Sequence, residues 1–146
     1  MHRFCKGRGI DFTRSRPYRK NDSPYVESKN WSMVRAYTGW RRYDTDEELE
    51  ALRNLLRLIT IRHNLFMPHM RLVSRHREDG KVHKTYDMDI PLNRVLKSPE
   101  ADADTKQNLT NSRNSTDIVR LSKEIEQASE RLSHAYEKKL RRLNDA

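Results

Sequence analysis

Hydrophobic positions recur every three or four residues in three stretches of the chain, which is the spacing of a helix with one buried face. The clearest stretch opens at Thr45, followed three residues later by Glu48, and this pair predicts a capping box at a helix N-terminus. The helix should run to about His63. Its apolar face comprises Leu49, Leu52, Leu55, Leu56, Leu58 and Ile59.

A second helix is predicted between Pro24, which suits a first helical turn, and Gly39, which ends it. A short turn joins this helix to the first one, so we expect the two to pack side by side through Val34 and Tyr37. Upstream of both helices, Ile10 to Thr13 predicts a short strand.

A third helix, amphipathic, is predicted over residues 115–146, with Ser115 or Thr116 as its cap. Its apolar positions alternate three and four apart, which is typical of a coiled-coil seam. The seam comprises Ile118, Leu121, Ile125, Ala128, Leu132 and Ala135. Its partner would be a second copy of the chain or another helix of the same chain. Residues 98–114 offer little to bury and predict a linker or disordered segment, and one helical turn is expected near Pro91.

The stretch from Leu72 to Asp87 predicts a β-hairpin about Asp79-Gly80, a pair that suits a tight two-residue turn. In this register His76 faces His83. The two imidazoles could bind zinc, but a structural or surface pair is favoured because no third ligand is evident. The hairpin is also a cationic ribbon, which carries Arg71, Arg75, Arg77, Lys81 and Lys84.

The composition limits the size of the hydrophobic core and favours a polyanionic partner. Charged residues make up 35% of the 146-residue chain and hydrophobic residues 34%, so the sequence predicts a modest core. The net charge of +9 favours a polyanion, because neutralising phosphates releases counterions. No apolar run approaches the roughly 20 residues of a membrane helix, and the N-terminus lacks a secretory apolar segment, so we expect a cytoplasmic protein outside the membrane. Cys5 is the single cysteine, which excludes an intrachain disulfide and a cysteine-based zinc site.

Candidate chemistry centres on Glu27, in the first turn of the second helix, where the helix dipole favours an ionised carboxylate able to bind a metal ion. Position alone does not show that Glu27 binds a metal ion, because exposed acids are common at helix starts. The cations predicted to contact DNA phosphates are Arg14, Arg16, Arg19, Lys20 and Lys29 near this helix, and Arg75, Arg77 and Lys84 on the hairpin. Trp31, Trp40 and Tyr43 could stack on bases, although packing is favoured at such helix and helix-end positions.

Several separated motifs are similar to one family. The stretches from Phe12 to Asp22 (FTRSRPYRKND) and from Val26 to Asn30 (VESKN) resemble the end of the catalytic core of bacterial DDE transposases, the retroviral-integrase-like group. The later stretches NLFMP, MRLVS and KTYD, which begin at residues 64, 70 and 84, resemble the segment that follows this core. The resemblance covers roughly Phe4 to Leu96.

The resemblance implies an α/β ribonuclease H-like fold of which the C-terminal portion is present. The chain itself would be mainly α-helical, with one short strand, the basic hairpin and the coiled-coil-like helix. Residues 1–64 would be the end of the catalytic core and 65–97 a basic hairpin extension, followed by the linker at 98–114 and the helix at 115–146.

The implied chemistry is two-metal phosphoryl transfer, in which three carboxylates hold Mg²⁺ or Mn²⁺. Glu27 matches the third acid of the family. The other two are aspartates on strands well upstream, and Asp11 and Asp22 lie too close to Glu27 in sequence to occupy those positions. We therefore expect a truncated transposase or integrase catalytic domain that joins no DNA ends alone. The alternative is a small non-catalytic basic protein that binds nucleic acid or a partner helix.

Overall fold

The computed structural model describes residues 2–10, 16–18 and 24–144. Helices dominate these residues, and one antiparallel hairpin projects from them. In chain order the elements are α1 (His2–Gly7), α2 (Pro24–Asn30), a π-helical turn (Trp31–Arg35), α3 (Ala36–Thr38), α4 (Asp46–Leu65), β1 (His69–Glu78), β2 (Lys81–Asp89), α5 (Pro91–Lys97), α6 (Ala103–Ser115) and α7 (Ile118–Asn144).

The core lies between α4 and α7. Its buried side chains are Leu55, Leu58 and Ile59 from α4 and Leu121, Ile125, Ala128 and Leu132 from α7. Glu47 at the start of α4 pairs with Lys138 near the end of α7, at 2.9 Å, so the two helices run antiparallel. The apolar seam of the third predicted helix therefore has a partner within the same chain.

The expected packing of the second predicted helix against α4 is present in part, but the main neighbour of α4 is α7. Tyr37 does pack against the core, together with Tyr43, but the π-helical turn between α2 and α3 buries no residue. The 27-residue α7 instead offers a continuous apolar stripe along most of α4, which buries more hydrophobic surface than the short α2–α3 segment can.

A buried ion pair joins the N-terminus of α4 to α7. The predicted capping box is confirmed, with Thr45 accepting from the backbone N–H of Glu48 at 3.3 Å. The Glu48 side chain is fully buried, and its Oε1 lies 2.9 Å from Nζ of Lys139. Burial opposes ionisation of Glu48, but hydrogen bonds from Lys139 and from the backbone N–H groups of Asp44 and Thr45 outweigh it and lower its pKa to about 2.

The predicted hairpin is confirmed. Strands β1 and β2 pair antiparallel, with His76 opposite His83, and both Asp79 (φ 48°) and Gly80 (φ 76°) have the positive φ that a tight hairpin turn requires. Val73 is an extra, bulged residue between the paired positions of β1. The helical turn expected near Pro91 is also present, as α5.

The cap predicted for the third helix at Ser115 or Thr116 is wrong. Helix α7 begins at Ile118, and Asp117 accepts from the backbone N–H groups of Val119 and Arg120.

Two other sequence predictions need correction or fall partly outside the described residues. Residues 98–114 are not without structure, because they contain most of α6. Asp102 caps this helix by accepting from the backbone N–H of Thr105 at 2.6 Å, which stabilises a helix that has few apolar residues. Ile10 is not in a strand, and the rest of the strand predicted up to Thr13 lies outside the described residues.

The described part of the chain holds one sheet, of two strands, so a ribonuclease H-like fold stays a prediction. In these same ranges no helix combines the length and the apolar character needed to cross a membrane.

Candidate nucleic-acid interface

Three of the predicted DNA-contacting cations share one face of the hairpin. Arg75 pairs with Lys84 across the strands, and Arg77 pairs with Val82. Paired residues lie on the same face of an antiparallel ladder, and so do residues two apart on one strand. Arg75, Arg77 and Lys84 therefore form a cationic patch near the hairpin tip, which we call the cationic face.

The bulge at Val73 decides what else lies on this face. Beyond the bulge the register places Leu72 opposite Tyr86 and Met70 opposite Met88, on the same side as Lys84. Arg71 is moved to the other face, where it pairs with Asp87. The cationic face is thus charged at the tip and apolar towards the root.

The opposite face of the hairpin carries both basic and acidic side chains. His76 pairs with His83, as predicted, and the two rings stack with centroids 5.4 Å apart. A carboxylate oxygen of Glu78 lies 4.0 Å from Nε2 of His76. The described ranges contain no cluster of three or more residues able to hold a metal ion, so the histidine pair lacks a third ligand there.

The hairpin stands away from the helices. Every residue from Val73 to Met88 is exposed, including apolar ones, with Met88 64% exposed and Val73 63%. An isolated hairpin is marginally stable in water, so an exposed ribbon of this kind is suited to lie against a partner. The cationic face gives this exposed ribbon a local positive charge.

A cluster of four basic residues fixes the root of the hairpin. Nζ of Lys29, on α2, lies 2.6 Å from Nδ1 of His69, and Nε2 of His69 lies 3.3 Å from Nδ1 of His63 on α4. Arg94, on α5, donates to the carbonyl oxygens of His69 (2.5 Å) and Asp87 (3.5 Å), one on each strand. Three helices thus hold the hairpin by its base.

The hydrogen bonds of this cluster require neutral imidazoles. The ammonium group of Lys29 can only donate, so Nδ1 of His69 must accept and its Nε2 must carry the proton given to His63. Burial is the main cause that lowers the pKa of both His63 and His69 below 6.5, and the charge of Lys29 adds to it. The pKa of Lys29 is itself lowered, mainly by burial and then by Arg94. Lys29 therefore helps position the hairpin.

The remaining predicted site residues are dispersed. Glu27 is exposed on α2, and no three-residue metal cluster is found in the described ranges, so the residues described do not fit a Mg²⁺ or Mn²⁺ site. Arg16 is exposed. Arg14, Arg19 and Lys20 lie outside the described residues.

The exposure of two tryptophans was not predicted from the sequence. Packing was favoured for Trp31, Trp40 and Tyr43, but Trp31 is 59% exposed and Trp40 is 77% exposed, while Tyr43 packs as expected. The guanidinium of Arg35 lies 4.5 Å from the centre of the Trp40 ring. The order Gly39-Trp40-Arg41-Arg42, an aromatic residue between a glycine and two cations, was the available signal.

Comparisons with known proteins show similarity to an uncharacterized protein but identify no family. No model of a known protein family matches the chain, and no solved structure matches it. The chain is similar to "Uncharacterized protein y4rM" of Sinorhizobium fredii (strain NBRC 101917 / NGR234), with 38% identity over 88 residues, which are 60% of this chain and 25% of the relative. The chain thus spans about a quarter of the length of this longer protein.

Proposed function

We propose that this chain is the C-terminal part of a DDE transposase or integrase catalytic domain and that it binds DNA through the hairpin. The observation that carries the binding proposal is the cationic face, where Arg75, Arg77 and Lys84 lie together on an exposed ribbon. The transposase assignment rests on the sequence resemblance. The similarity to a quarter of a longer protein shows that a related segment occurs within a longer chain, which is compatible with this proposal. The expected compartment is the cytoplasm.

The shape of the hairpin suits duplex DNA. The major groove admits a two-stranded β-ribbon, and most protein–DNA contacts go to phosphates rather than to bases. The cationic face offers three phosphate contacts near its tip, while the root is anchored by Lys29, His69 and Arg94. Binding of this kind positions DNA with little preference for sequence.

The proposed catalytic role is restricted to Glu27, as one metal ligand of a complete active site. The described residues do not assemble that site, so no reaction step is derived for this chain. We expect the purified chain to join no DNA ends in the presence of Mg²⁺ or Mn²⁺. Joining of labelled DNA ends by the purified chain, abolished in Glu27→Gln, would contradict this.

The binding test compares two triple variants with equal loss of charge. Removal of the three cations in R75Q/R77Q/K84Q should make the dependence of log affinity on log salt less steep by about 2.7, since each phosphate contact contributes about 0.9. The matched control is R53Q/K123Q/R131Q, which removes exposed cations from α4 and α7. Fluorescence anisotropy with a blunt 20-base-pair duplex measures both. Equal slopes in the two variants would refute a binding role for the cationic face.

The second candidate is a small non-catalytic nucleic-acid binder, and one observation favours it. The cationic face does not involve Glu27, so it can act without an active site. The coding sequence upstream of Met1 separates the two candidates. Two aspartates in strand-like apolar runs would support the transposase, and unrelated coding sequence would support the independent binder.

A further inference from the structure

Trp40 lies on a short connection that is held at several points. The hydroxyl of Tyr43, whose ring packs on the core, donates to the carbonyl oxygen of Thr38 at 2.8 Å. Nη1 of Arg35 donates to the carbonyl oxygen of Gly39 at 3.1 Å. Gly39 itself has φ 62° and ψ −150°, a conformation open essentially to glycine alone. These contacts therefore hold the backbone that carries the Trp40 ring.

The ring has one covered face and one open face. Arg35 stacks on one side with its guanidinium carbon 4.5 Å from the ring centre, and this same group is fixed by its hydrogen bond to Gly39. Because Trp40 is still 77% exposed, the opposite face of the indole is open to solvent. The open face of the indole is therefore available to a planar partner.

The surroundings of Trp40 are cationic. Arg41 and Arg42 follow it directly, and both are exposed. The guanidinium carbon of Arg41 lies 4.9 Å from the centre of the Tyr136 ring, and Arg42 pairs with Asp44 at 3.1 Å. An apolar protein partner would be expected to meet an apolar rim, and this rim carries positive charge. A planar, uncharged ring attached to a phosphate chain fits both the open indole face and the charge around it.

We propose that Trp40 is a stacking platform for an unpaired nucleobase, with Arg41 and Arg42 contacting the adjacent phosphates. This inference rests on the proposed DNA-binding function and adds a second element to it: the hairpin binds duplex, and Trp40 binds a single-stranded end. Stacking on a protein aromatic ring is tolerant of sequence because every base has a π-face. The platform therefore distinguishes single strands from duplex and leaves the choice of base open.

The chain suits a fluorescence test because it has two tryptophans, Trp31 and Trp40. The variant W31F leaves Trp40 as the single indole reporter. We would titrate it with a 20-base-pair duplex carrying a four-thymine 3′ overhang and with the same duplex made blunt. The overhang should quench Trp40 emission and should bind more tightly, whereas the blunt duplex should bind without comparable quenching.

The matched variants are W40L and W40F, measured by anisotropy with the same two DNAs. W40L should lose the affinity advantage of the overhang, by roughly fivefold to a hundredfold, and W40F should retain part of it. W31F should keep the advantage in full. Because Trp40 is exposed, these substitutions leave the core untouched, and far-ultraviolet circular dichroism checks that they do.

The outcomes separate this inference from the proposed function. If both DNAs bind equally and Trp40 is not quenched, the stacking platform is refuted while duplex binding stands. If neither DNA binds at low salt, the proposed function fails and the inference fails with it. If the emission of Trp40 shifts with protein concentration in the absence of DNA, a second copy of the chain covers the ring, and the proposal is overturned.

Discussion

Replacing Glu48 by glutamine is predicted to lower the free energy of unfolding by about 3 kcal/mol. Glu48 is fully buried, and the side chain of its partner Lys139 is 14% exposed, so the substitution leaves a mostly buried cation without its closest anion. Removal of one partner from a buried ion pair costs about 3–5 kcal/mol. The lower end applies here because Lys139 also donates to Asp44 at 2.9 Å, and because glutamine keeps an oxygen for the capping hydrogen bonds.

Urea unfolding followed by circular dichroism at pH 7 measures this loss, which corresponds to a fall in melting temperature of roughly 10 °C. E50Q is the control, since Glu50 is exposed one half-turn further along α4. A double-mutant cycle with K139M isolates the pair, and the double variant should lose less than the sum of the single losses. A loss below about 1 kcal/mol in E48Q, or strict additivity, would refute the reasoning.

The pH dependence gives an independent check on Glu48. Its pKa is about 2 in the folded protein, below the ordinary 4.5, so its contribution to stability is complete above pH 4.5 and is lost as the pH falls from there towards 2. E48Q should therefore lose less stability than the wild type over this range. Asp89 also has a pKa of about 2, lowered first by its hydrogen bond from Lys97, so some acid sensitivity should persist in E48Q.

Three further perturbations test the fold and the hairpin root. The lowered pKa values of His63 and His69 imply a contribution to stability that is present above about pH 6.5 and is lost as the pH falls below it. Between pH 7.5 and 5.0, the free energy of unfolding in urea should therefore fall less in H69Q than in the wild type. An equal fall in the two proteins would contradict this. L55A, in the core between α4 and α7, should cost about 3 kcal/mol in the same assay, whereas L140A, at a residue 41% exposed, should cost well under half of that. G39A should cost at least about 1 kcal/mol through backbone strain alone, since a methyl group there would meet nothing within 4 Å; an unchanged melting temperature would show that the positive φ is not required.

Local signals in the sequence predicted the local structure well. Thr45 and Glu48 predicted a capping box because both hydrogen bonds lie within one turn, and Asp79-Gly80 predicted the hairpin turn because few residue pairs accept its backbone angles. The facing pair of His76 and His83 followed from that turn.

The packing of helices that are distant in the sequence could not be predicted as well as the local structure. An apolar stripe shows that a helix is buried on one side but does not name its neighbour, so α7 was not identified as the partner of α4. Two adjacent acids, Glu47 and Glu48, pair with two adjacent lysines, Lys138 and Lys139, and this complementarity was the missed signal.

The candidate interface was predicted in part. The cations of the hairpin are visible in the sequence, but the bulge at Val73 decides which of them share a face, and a bulge has no clear sequence signature here. Helix α6 was missed because its polar composition suggests disorder, while the stabilising cap at Asp102 is a local feature that composition does not report. The exposure of Trp40 depends on Arg35 and Gly39 together, which periodicity does not report.

The most direct test of the proposed interface is amide chemical-shift mapping of the wild-type chain with the blunt 20-base-pair duplex. The largest changes should fall in β1 and β2, at Arg75, Arg77 and Lys84 and their strand neighbours, with little change along the outer surfaces of α4 and α7. Changes concentrated on α4 and α7, or spread evenly over every exposed cation, would contradict the assignment of the hairpin as the DNA-binding element.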